Sequence, residues 1–310
     1  MLQYVSKRIL SMVLVIYIVI TATFLLMHSI PGGPFTTEKQ LTPEVLRNIN
    51  ARYHLDDPLW KQYTDYMGNI LRFDLGPSFK YQDRTVNNII ADGFPVSVQL
   101  GTFAVLLAVT VGISAGIFAA LRHNRTLDYM IMSASTLGIS IPSFILASFL
   151  IYFFAFKIKL FPAAMWNGFS YMILPGISLA ALPMAVVARL TRSGMLEVLS
   201  QDFIRTARAK GVGKRAIVYR HALKNSLIPV VTYVGPMAAG ILTGSFVVES
   251  IFNIPGLGRH FVTSIYNRDY TVILGITIFY SALIIIFNFL VDVAYVLLDP
   301  RISLEKKGDN

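Results

Sequence analysis

Six runs of predominantly apolar residues constrain this chain more than any other feature of its sequence. They lie near residues 9–30, 96–121, 129–154, 173–192, 229–252 and 271–298. About 20 such residues in an α-helix are long enough to cross a hydrocarbon core ~30 Å thick. Charged residues make up only 14% of the 310-residue chain, against roughly 25% in soluble proteins. The sequence therefore predicts an all-α integral membrane protein with six transmembrane helices.

The first run resembles a secretory signal because Lys7 and Arg8 precede it. Its apolar stretch, however, exceeds the roughly 7 to 15 residues of a signal-peptide core. We therefore expect residues 1–30 to contain the N-terminus and a permanent first helix. Residues 31–95 would then form an external excursion, and residues 96–310 the membrane core with helices 2 to 6.

Charge predicts the orientation of these helices. The chain has a formal net charge of +10, and cytoplasmic segments of membrane proteins carry the excess of Lys and Arg. With the N-terminus inside, basic residues strongly outnumber acidic ones in the cytoplasmic segments, whereas the two nearly balance outside. Both termini are therefore predicted to be cytoplasmic, and the positive charge requires no nucleic acid as a partner.

The external excursion is predicted to contain two short amphipathic helices. Thr42 can cap the first, with Pro43 at its first helical position, and Pro58 begins the second. Trp60 and Tyr63 fit an interfacial cap at the depth of the lipid headgroups. The same surface could instead bind an extracytoplasmic partner, and the sequence leaves both interpretations open.

Several kinds of chemistry are excluded by composition and motif. The chain has no Cys, which excludes disulfide scaffolds, iron–sulfur clusters and thiol nucleophiles. Its five His residues have no paired spacing, so we predict no metal site. The one Gly–Lys pair, Gly213 and Lys214, has Arg208 and Arg215 where a phosphate loop needs Gly and Ser or Thr. The chain alone is therefore not expected to be an enzyme, and any energy must come from a partner.

The polar segment 193–228 is too long to be a simple connection. It is predicted to contain a basic helix, a break at Gly211 and Gly213, and a second basic helix. Ser200 is a plausible N-cap, and Asp202 in the first turn suits the helix dipole. This predicts a helix of about ten residues on the cytoplasmic side.

One face of that short helix has a small, partly apolar ridge. Phe203, Ala207 and Lys210 recur at i, i+4 and i+7. Ala207 is small enough to let a partner approach the helix backbone, and Gly211 can adopt the positive φ that ends the helix. The segment is therefore predicted to bind a partner protein.

This segment resembles the EAA loop of ABC-importer permeases of the dipeptide and oligopeptide group. Arg205, Thr206 and Ala207 occupy the position of the family's E-A-A triplet, and Gly211 is the glycine that follows. The acidic first residue is Arg205 here. The phrases IRTARAKG and RHALKN are close to those of the peptide-permease branch, which also departs from the general family in these positions.

The resemblance extends over most of the chain. The phrases PGGP at 31–34, YHLDDP at 53–58, FDLGPS at 73–78, ESIFNIPGLG at 249–258 and DPR at 299–301 are similar to those of the B-type subunit of an oligopeptide permease. Many relatives have Gly at the position of Phe73.

The resemblance implies a set of partners in the cell membrane of a prokaryote. These are a second homologous permease, two cytoplasmic ATPase subunits that hold ATP and Mg²⁺, and an extracytoplasmic peptide-binding protein. The chain itself would contact lipid and bind no cofactor. Its ATPase-coupling residues would be Asp202, Phe203, Arg205, Thr206, Ala207, Lys210 and Gly211.

The resemblance also implies the import of oligopeptides, with dipeptides, nickel chelates or another small solute as the alternative. A secondary transporter is the competing class of protein. Such a transporter usually has an inverted repeat and ionisable residues near the midplane, and we find no repeat in the sequence.

Small and kink-forming residues suggest where a passage would lie. In the third run, Pro142 is expected to break or kink the helix, and Gly138, Ser140 and Ser143 beside it fit either a passage lining or helix packing. A second set fits an outer gate or a re-entrant support rather than a binding site. It consists of Glu249, Pro255, Gly256 and Gly258.

Asp292 is a charge inside the sixth run. An unpaired charge there would cost at least ~2.5 kcal/mol. We expect structural pairing with Arg189 or Arg192, with a proton relay or a ligand for a peptide amine as the alternative.

Overall fold

The computed structural model describes residues 2–29, 35, 47 and 55–298, with side chains from 8 to 291 within these ranges except at Lys214. The regular structure of this part is helical, and Pro77 and Thr85 form an isolated antiparallel bridge. The helices are α1 (Leu2–Ser29), α2 (Leu59–Leu71), α3 (Val86–Leu121), α4 (Thr126–Ser140), α5 (Ser143–Leu150), α6 (Ser170–Leu199), α7 (Asp202–Ala209), α8 (Lys214–Ala216), α9 (Leu223–Ser226), α10 (Ile228–Leu242), α11 (Phe246–Ile251), α12 (Leu257–Asn267) and α13 (Tyr270–Leu298). Ile151–Lys157 and Ile217–Ala222 are π-helical.

Five segments of the described chain are long and apolar enough to cross a membrane. They are Arg8–Ser29, Val86–Leu121, Ser170–Leu199, Ile228–Ile251 and Tyr270–Val291. Thr126–Ser140 and Ser143–Lys157 pass the same test together, but they bend by 107° at the break between them. The prediction of an all-helical membrane protein is confirmed, with five spans, or six if the bent pair is one span.

Proline causes the break in the third predicted span. Ile141 is extended, with φ −91° and ψ 118°, and Pro142 directly precedes α5. Proline has no N–H to donate, and it disfavours the helical conformation of the residue before it. The predicted interruption at Pro142 is therefore confirmed, while the size of the bend depends on the packing of α4 and α5.

Helix α3 begins well before the apolar run that predicts it. Thr85 is extended, and its Oγ1 accepts a hydrogen bond from Asn88 N at 3.2 Å, which caps the helix. The helix then continues through Pro95 for 36 residues, about 54 Å. The boundary predicted at residue 95 falls inside α3, so the two predicted segments on either side of it share one helix.

Helix α2 corresponds to the second predicted amphipathic helix, and Pro58 directly precedes it. It packs on α1, where the Tyr63 hydroxyl lies 2.7 Å from Thr21 Oγ1 and the Tyr63 ring contacts Phe24 edge-on. The first predicted helix, with its cap at Thr42, lies outside the described residues.

Close packing of α3 on α6 forms the centre of the fold. A methyl group added at Gly112 would lie 2.8 Å from Met184 O, and one added at Gly116 would lie 2.5 Å from Thr191 Cβ. Such contacts leave no room for a side chain, and Gly-x-x-x-Gly spacing lets two helix backbones approach within a membrane. The two glycines therefore fix the position of α6, from which the segment 193–228 continues.

Asp269 attaches the loop before α3 to the start of α13. Its carboxylate is fully buried and accepts hydrogen bonds from Phe79 N at 3.2 Å and from Val272 N at 3.4 Å. The Ser78 hydroxyl donates to the same carboxylate. One acidic side chain thus satisfies donors of two distant segments and holds them together.

Candidate functional site

The start of α7 differs from the prediction. Helix α6 runs to Leu199, Ser200 follows it, and the Ser200 hydroxyl donates to Glu197 O at 2.7 Å. The N-cap of α7 is instead Gln201, whose side chain makes no capping hydrogen bond. The predicted Ser200 cap is therefore wrong, because the preceding helix extends further than expected and Ser200 belongs to its end. Helix α7 has eight residues rather than about ten.

The end of α7 agrees with the prediction at Gly211. Gly211 has φ +78°, and its N–H donates to Arg208 O at 3.0 Å. The next N–H, of Val212, donates to Ala207 O at 3.1 Å. This pair of bonds is a Schellman motif, which satisfies the last carbonyls of the helix and requires the left-handed conformation that glycine adopts most easily.

Two residues of α7 are buried, and one of them anchors the helix to the rest of the chain. Ile204 is completely buried and Ala207 is 9% exposed. Ile204 packs in a core cluster with Ile117 of α3 and with Met195 and Val198 of α6. Ala207, which the sequence predicts on the partner-binding ridge with Phe203, is thus largely covered by this chain, and its contact with a partner stays a prediction. Ala207 faces this chain because it lies one helical turn from Ile204.

The side of α7 next to these buried residues is exposed. Phe203 has 40% of its surface exposed, and Thr206 and Lys210 are also exposed. These residues lie at i, i+3 and i+7, so they share one side of the helix. Asp202 and Arg205 flank this side and form an exposed ion pair with a 3.3 Å contact. The exposed side of α7 thus carries Phe203, Thr206 and Lys210, and the buried Ala207 lies next to Phe203 on the helix surface.

The second predicted basic helix is broken into short pieces. It consists of α8, a π-helical segment and α9. Ile217, Val218 and Ala222 of the π-helical segment are buried in the same cluster as Ile204, whereas Tyr219 is 65% exposed. The buried residues of this segment are therefore packed on the C-terminal ends of α3 and α6, in the same cluster that holds Ile204 of α7.

Glu249 is a fully buried member of the predicted gate residues. Its side chain is inaccessible to solvent, Oε2 accepts from Gly258 N at 2.8 Å and Oε1 accepts from Ser245 N at 3.2 Å. A methyl group at Gly256 would lie 2.3 Å from Oε2. Glu249 therefore holds the turn between α11 and α12, which fits a re-entrant support. Pro255 lies on the exposed outside of that turn.

Ser97 completes this arrangement, although nothing in the sequence singles it out. The Ser97 hydroxyl is buried and accepts a hydrogen bond from Leu257 N at 3.0 Å. Ser97 belongs to α3, 160 residues before Leu257. The re-entrant turn is thereby attached to α3, a contact that only the three-dimensional fold reveals.

The residues around the break between α4 and α5 are predicted either to line a passage or to pack helices together, and they differ in which role they fit. A methyl group at Gly138 would lie 3.2 Å from Ala181 O and 3.3 Å from Ala185 Cβ, so Gly138 packs against α6. It also borders an apolar groove of about 310 Å³ between α3, α4 and α6. Ser140 and Pro142 are exposed and Ser143 is half-buried, so these three remain free to line a passage.

A buried ion pair joins α4 to α6. Arg192 Nε and Nη2 donate to the two carboxylate oxygens of Asp128 at 2.6 and 2.8 Å, and Asn124 N donates to Asp128 Oδ2 at 3.0 Å. Arg192 therefore has an acidic partner other than the predicted Asp292. The side chain of Asp292 lies outside the described residues.

The described part of the chain offers no cluster of side chains for a metal ion. Its His, Asp and Glu side chains form no group of three or more that could hold a metal ion. The Gly213 region, which carries the one Gly–Lys pair, is a turn between α7 and α8.

Comparison with known proteins identifies the family. Residues 112–304 match the model of the binding-protein-dependent transport system inner membrane component, and residues 1–101 match the N-terminal model of the same membrane component. The dipeptide transport system permease protein DppB of Bacillus subtilis is 54% identical over 99% of this chain and 100% of its own length. The oligopeptide transport system permease protein OppB of Salmonella typhimurium is 48% identical over 97% of this chain and 99% of its own.

A solved structure shows the same fold. An inward-facing conformation of the MetNI methionine ABC transporter matches with a TM-score of 0.56 at 17% identity, over 69% of this chain and 96% of that chain. The prediction of a membrane transport subunit rather than an enzyme is confirmed by these relatives. The chain belongs to the family of binding-protein-dependent transport system inner membrane components.

Proposed function

We propose that this chain is a permease subunit of an ATP-driven importer of oligopeptides and forms half of the translocation pathway with a homologous permease. The observation that carries the proposal is its identity, between 43% and 54%, with permeases named for dipeptide or oligopeptide transport, over 97–99% of the chain. Identity at this level over the whole length supports the same arrangement of membrane helices and the same kinds of partner as in those permeases.

The length of the transported peptide is the least constrained part of the proposal. Dipeptide and oligopeptide permeases both appear among the similar proteins, at 54% and 48% identity. The PGGPF opening and the GPSFK phrase favour oligopeptides, and dipeptides are the alternative. Transport of nickel chelates or another small solute would require the same arrangement of helices to bind a different class of ligand.

We infer six transmembrane spans with both termini in the cytoplasm. The bent pair α4 and α5 then counts as one span, and the charge distribution supports the orientation. In this topology, the loop before α3 and helices α2 and α12 lie outside, where a peptide-binding protein would dock. The segment 193–228 lies inside, next to the ATPases.

We assign the coupling between the ATPase subunits and the membrane helices to α7. Phe203, Thr206 and Lys210 are exposed and form the proposed docking face, while the buried Ile204 fixes the helix to α3 and α6. A partner that moves α7 therefore moves the inner ends of two central helices with it. ATP and Mg²⁺ would be held by two ATPase subunits, and this chain would bind no cofactor itself.

Reconstitution of the complete transporter tests the function. Proteoliposomes would contain this chain, the second permease, both ATPases and the binding protein, and uptake of a labelled pentapeptide would be compared with that of a dipeptide and of nickel. We expect ATP-dependent uptake of the pentapeptide that stops when the binding protein is omitted. Uptake of nickel or the dipeptide alone would refute oligopeptide import, and uptake driven by an ion gradient without ATP would indicate a secondary transporter.

A further inference from the structure

Arg189 is an exposed cation within a predicted membrane span. It belongs to α6, and its Nη2 donates a hydrogen bond to Thr136 Oγ1 of α4 at 2.6 Å. Among the described residues, no ion pair neutralises it. Arg192, three residues further along the same helix, is instead neutralised by two hydrogen bonds to Asp128. The charge of Arg192 is therefore neutralised by an acidic residue, whereas Arg189 keeps guanidinium donors available.

From Arg189 towards the C-terminal end of α6, the face that carries this residue is polar. Ser193 and Glu197 follow Arg189 at i+4 and i+8, and all three are exposed. On the adjacent helix α4, Thr136 and Ser140 are exposed as well. Charged side chains in membrane spans face water-filled cavities or other protein rather than lipid, and they commonly mark substrate pathways. This face of α4 and α6 is therefore suited to line an aqueous passage.

The hydrogen bond to Thr136 orients the guanidinium. It uses one N–H of Nη2 and leaves the Nε and Nη1 donors available. A guanidinium presents its donors in a planar fork that matches a carboxylate. The guanidinium of Arg189 is thus oriented to bind a carboxylate in the passage, and the hydrogen bond to Thr136 restricts the movement of the Arg189 side chain.

We propose that Arg189 binds the C-terminal carboxylate of a peptide as it crosses the membrane, an inference that rests on the function proposed above. Every linear peptide with a free C-terminus has this group, whatever its sequence. Binding by one exposed arginine is weak enough to permit release, and it would favour peptides with a free carboxylate over amidated ones.

Cysteine chemistry tests whether Arg189 faces water. The natural chain has no Cys, so Arg189→Cys introduces its one thiol, and the transporter with the unmodified chain measures labelling of the partners. We expect this introduced thiol to react with water-soluble methanethiosulfonates in the complete transporter. An aminoethyl reagent restores a positive charge and should restore uptake of free-carboxylate peptides, whereas a sulfonatoethyl reagent should not.

Uptake of paired peptides tests the ligand. Each peptide would be supplied with a free or an amidated C-terminus at concentrations that saturate the binding protein. We expect Arg189→Gln to lower the ratio of free to amidated peptide uptake about tenfold, the effect of losing one charge-assisted contact. Arg189→Lys, which keeps the charge, should retain most of this preference. Arg122→Gln removes an exposed arginine elsewhere and should leave the ratio unchanged.

Two results would overturn the inference. The first is reaction of the thiol in the Arg189→Cys variant only with a lipid-soluble maleimide, which would place position 189 against the lipid acyl chains. The second is an unchanged free-to-amidated ratio in Arg189→Gln. Both differ from failure of the proposed function, because in that case the transporter with the unmodified chain would take up neither peptide.

Discussion

Ile204 and Phe203 are neighbours in the sequence but lie on different sides of α7, so alanine at each position separates anchoring from docking. Ile204 is completely buried in the cluster that joins α7 to α3 and α6, whereas Phe203 is 40% exposed. We predict that Ile204→Ala destabilises the chain without removing a contact to the ATPase. Phe203→Ala should remove a contact to the ATPase while leaving the stability of the chain nearly unchanged.

The magnitudes follow from burial. Truncation of a fully buried Ile to Ala costs about 2–5 kcal/mol, so we expect about 3 kcal/mol for Ile204→Ala. Phe203 is far less buried, and its truncation should cost under about 1 kcal/mol of stability. An aromatic anchor at an interface contributes about 2 kcal/mol, which corresponds to a roughly 30-fold weaker association with the ATPase.

Two assays on the same preparations distinguish the effects. Thermal unfolding of the purified chain in detergent reports stability, and titration of the reconstituted membrane complex with ATPase subunits reports association. Ile204→Ala should unfold at a clearly lower temperature, and Phe203→Ala at nearly the temperature of the natural chain. Unchanged ATPase affinity in Phe203→Ala would refute the assignment of the docking face, and an unchanged unfolding temperature in Ile204→Ala would refute the anchoring.

Two further predictions concern backbone conformation and pH. Gly211→Val should lower the free energy of unfolding by about 1–2 kcal/mol and impair coupling, because a β-branched residue is strained at φ +78°. Gly213→Val, at a glycine without positive φ, serves as the control. Equal thermal stability of the two variants would contradict the prediction. Burial and then the positive charges of Arg84 and Arg259 lower the pKa of His260, while Asp92 acts in the opposite direction. Because the folded state disfavours the protonated ring, stability should fall as the pH drops through about 6.5, and His260→Gln should weaken that loss in a thermal unfolding series from about pH 8 to about pH 5.

Features set by local chemistry could be predicted from the sequence. Apolar runs of sufficient length predict the membrane helices because the hydrocarbon core requires that length. Gly211 was predictable because a helix end that turns the chain favours a residue tolerant of positive φ. The interruption at Pro142 was predictable for a similarly local reason, since the absence of an N–H acts on the adjacent turn alone.

Features set by contacts between distant segments could not be predicted. The ion pair of Asp128 and Arg192 spans 64 residues, and the contact of Ser97 with Leu257 spans 160. The sequence of α7 likewise does not show that Ala207 faces the chain, because that depends on the cluster in which Ile204 packs. Periodicity shows which residues share a helix face, but it does not show which face packs against the protein.

Photo-cross-linking from the exposed face of α7 tests most directly whether this helix carries the coupling between ATP hydrolysis and peptide movement. Thr206→Cys would carry a thiol-linked benzophenone in the complete transporter, with Phe169→Cys, exposed near the opposite end of α6, as the matched control. We predict a light-dependent adduct between position 206 and an ATPase subunit, with loss of peptide uptake, and no ATPase adduct from position 169. Absence of the adduct from position 206 in a transporter that still imports peptide would contradict the claim.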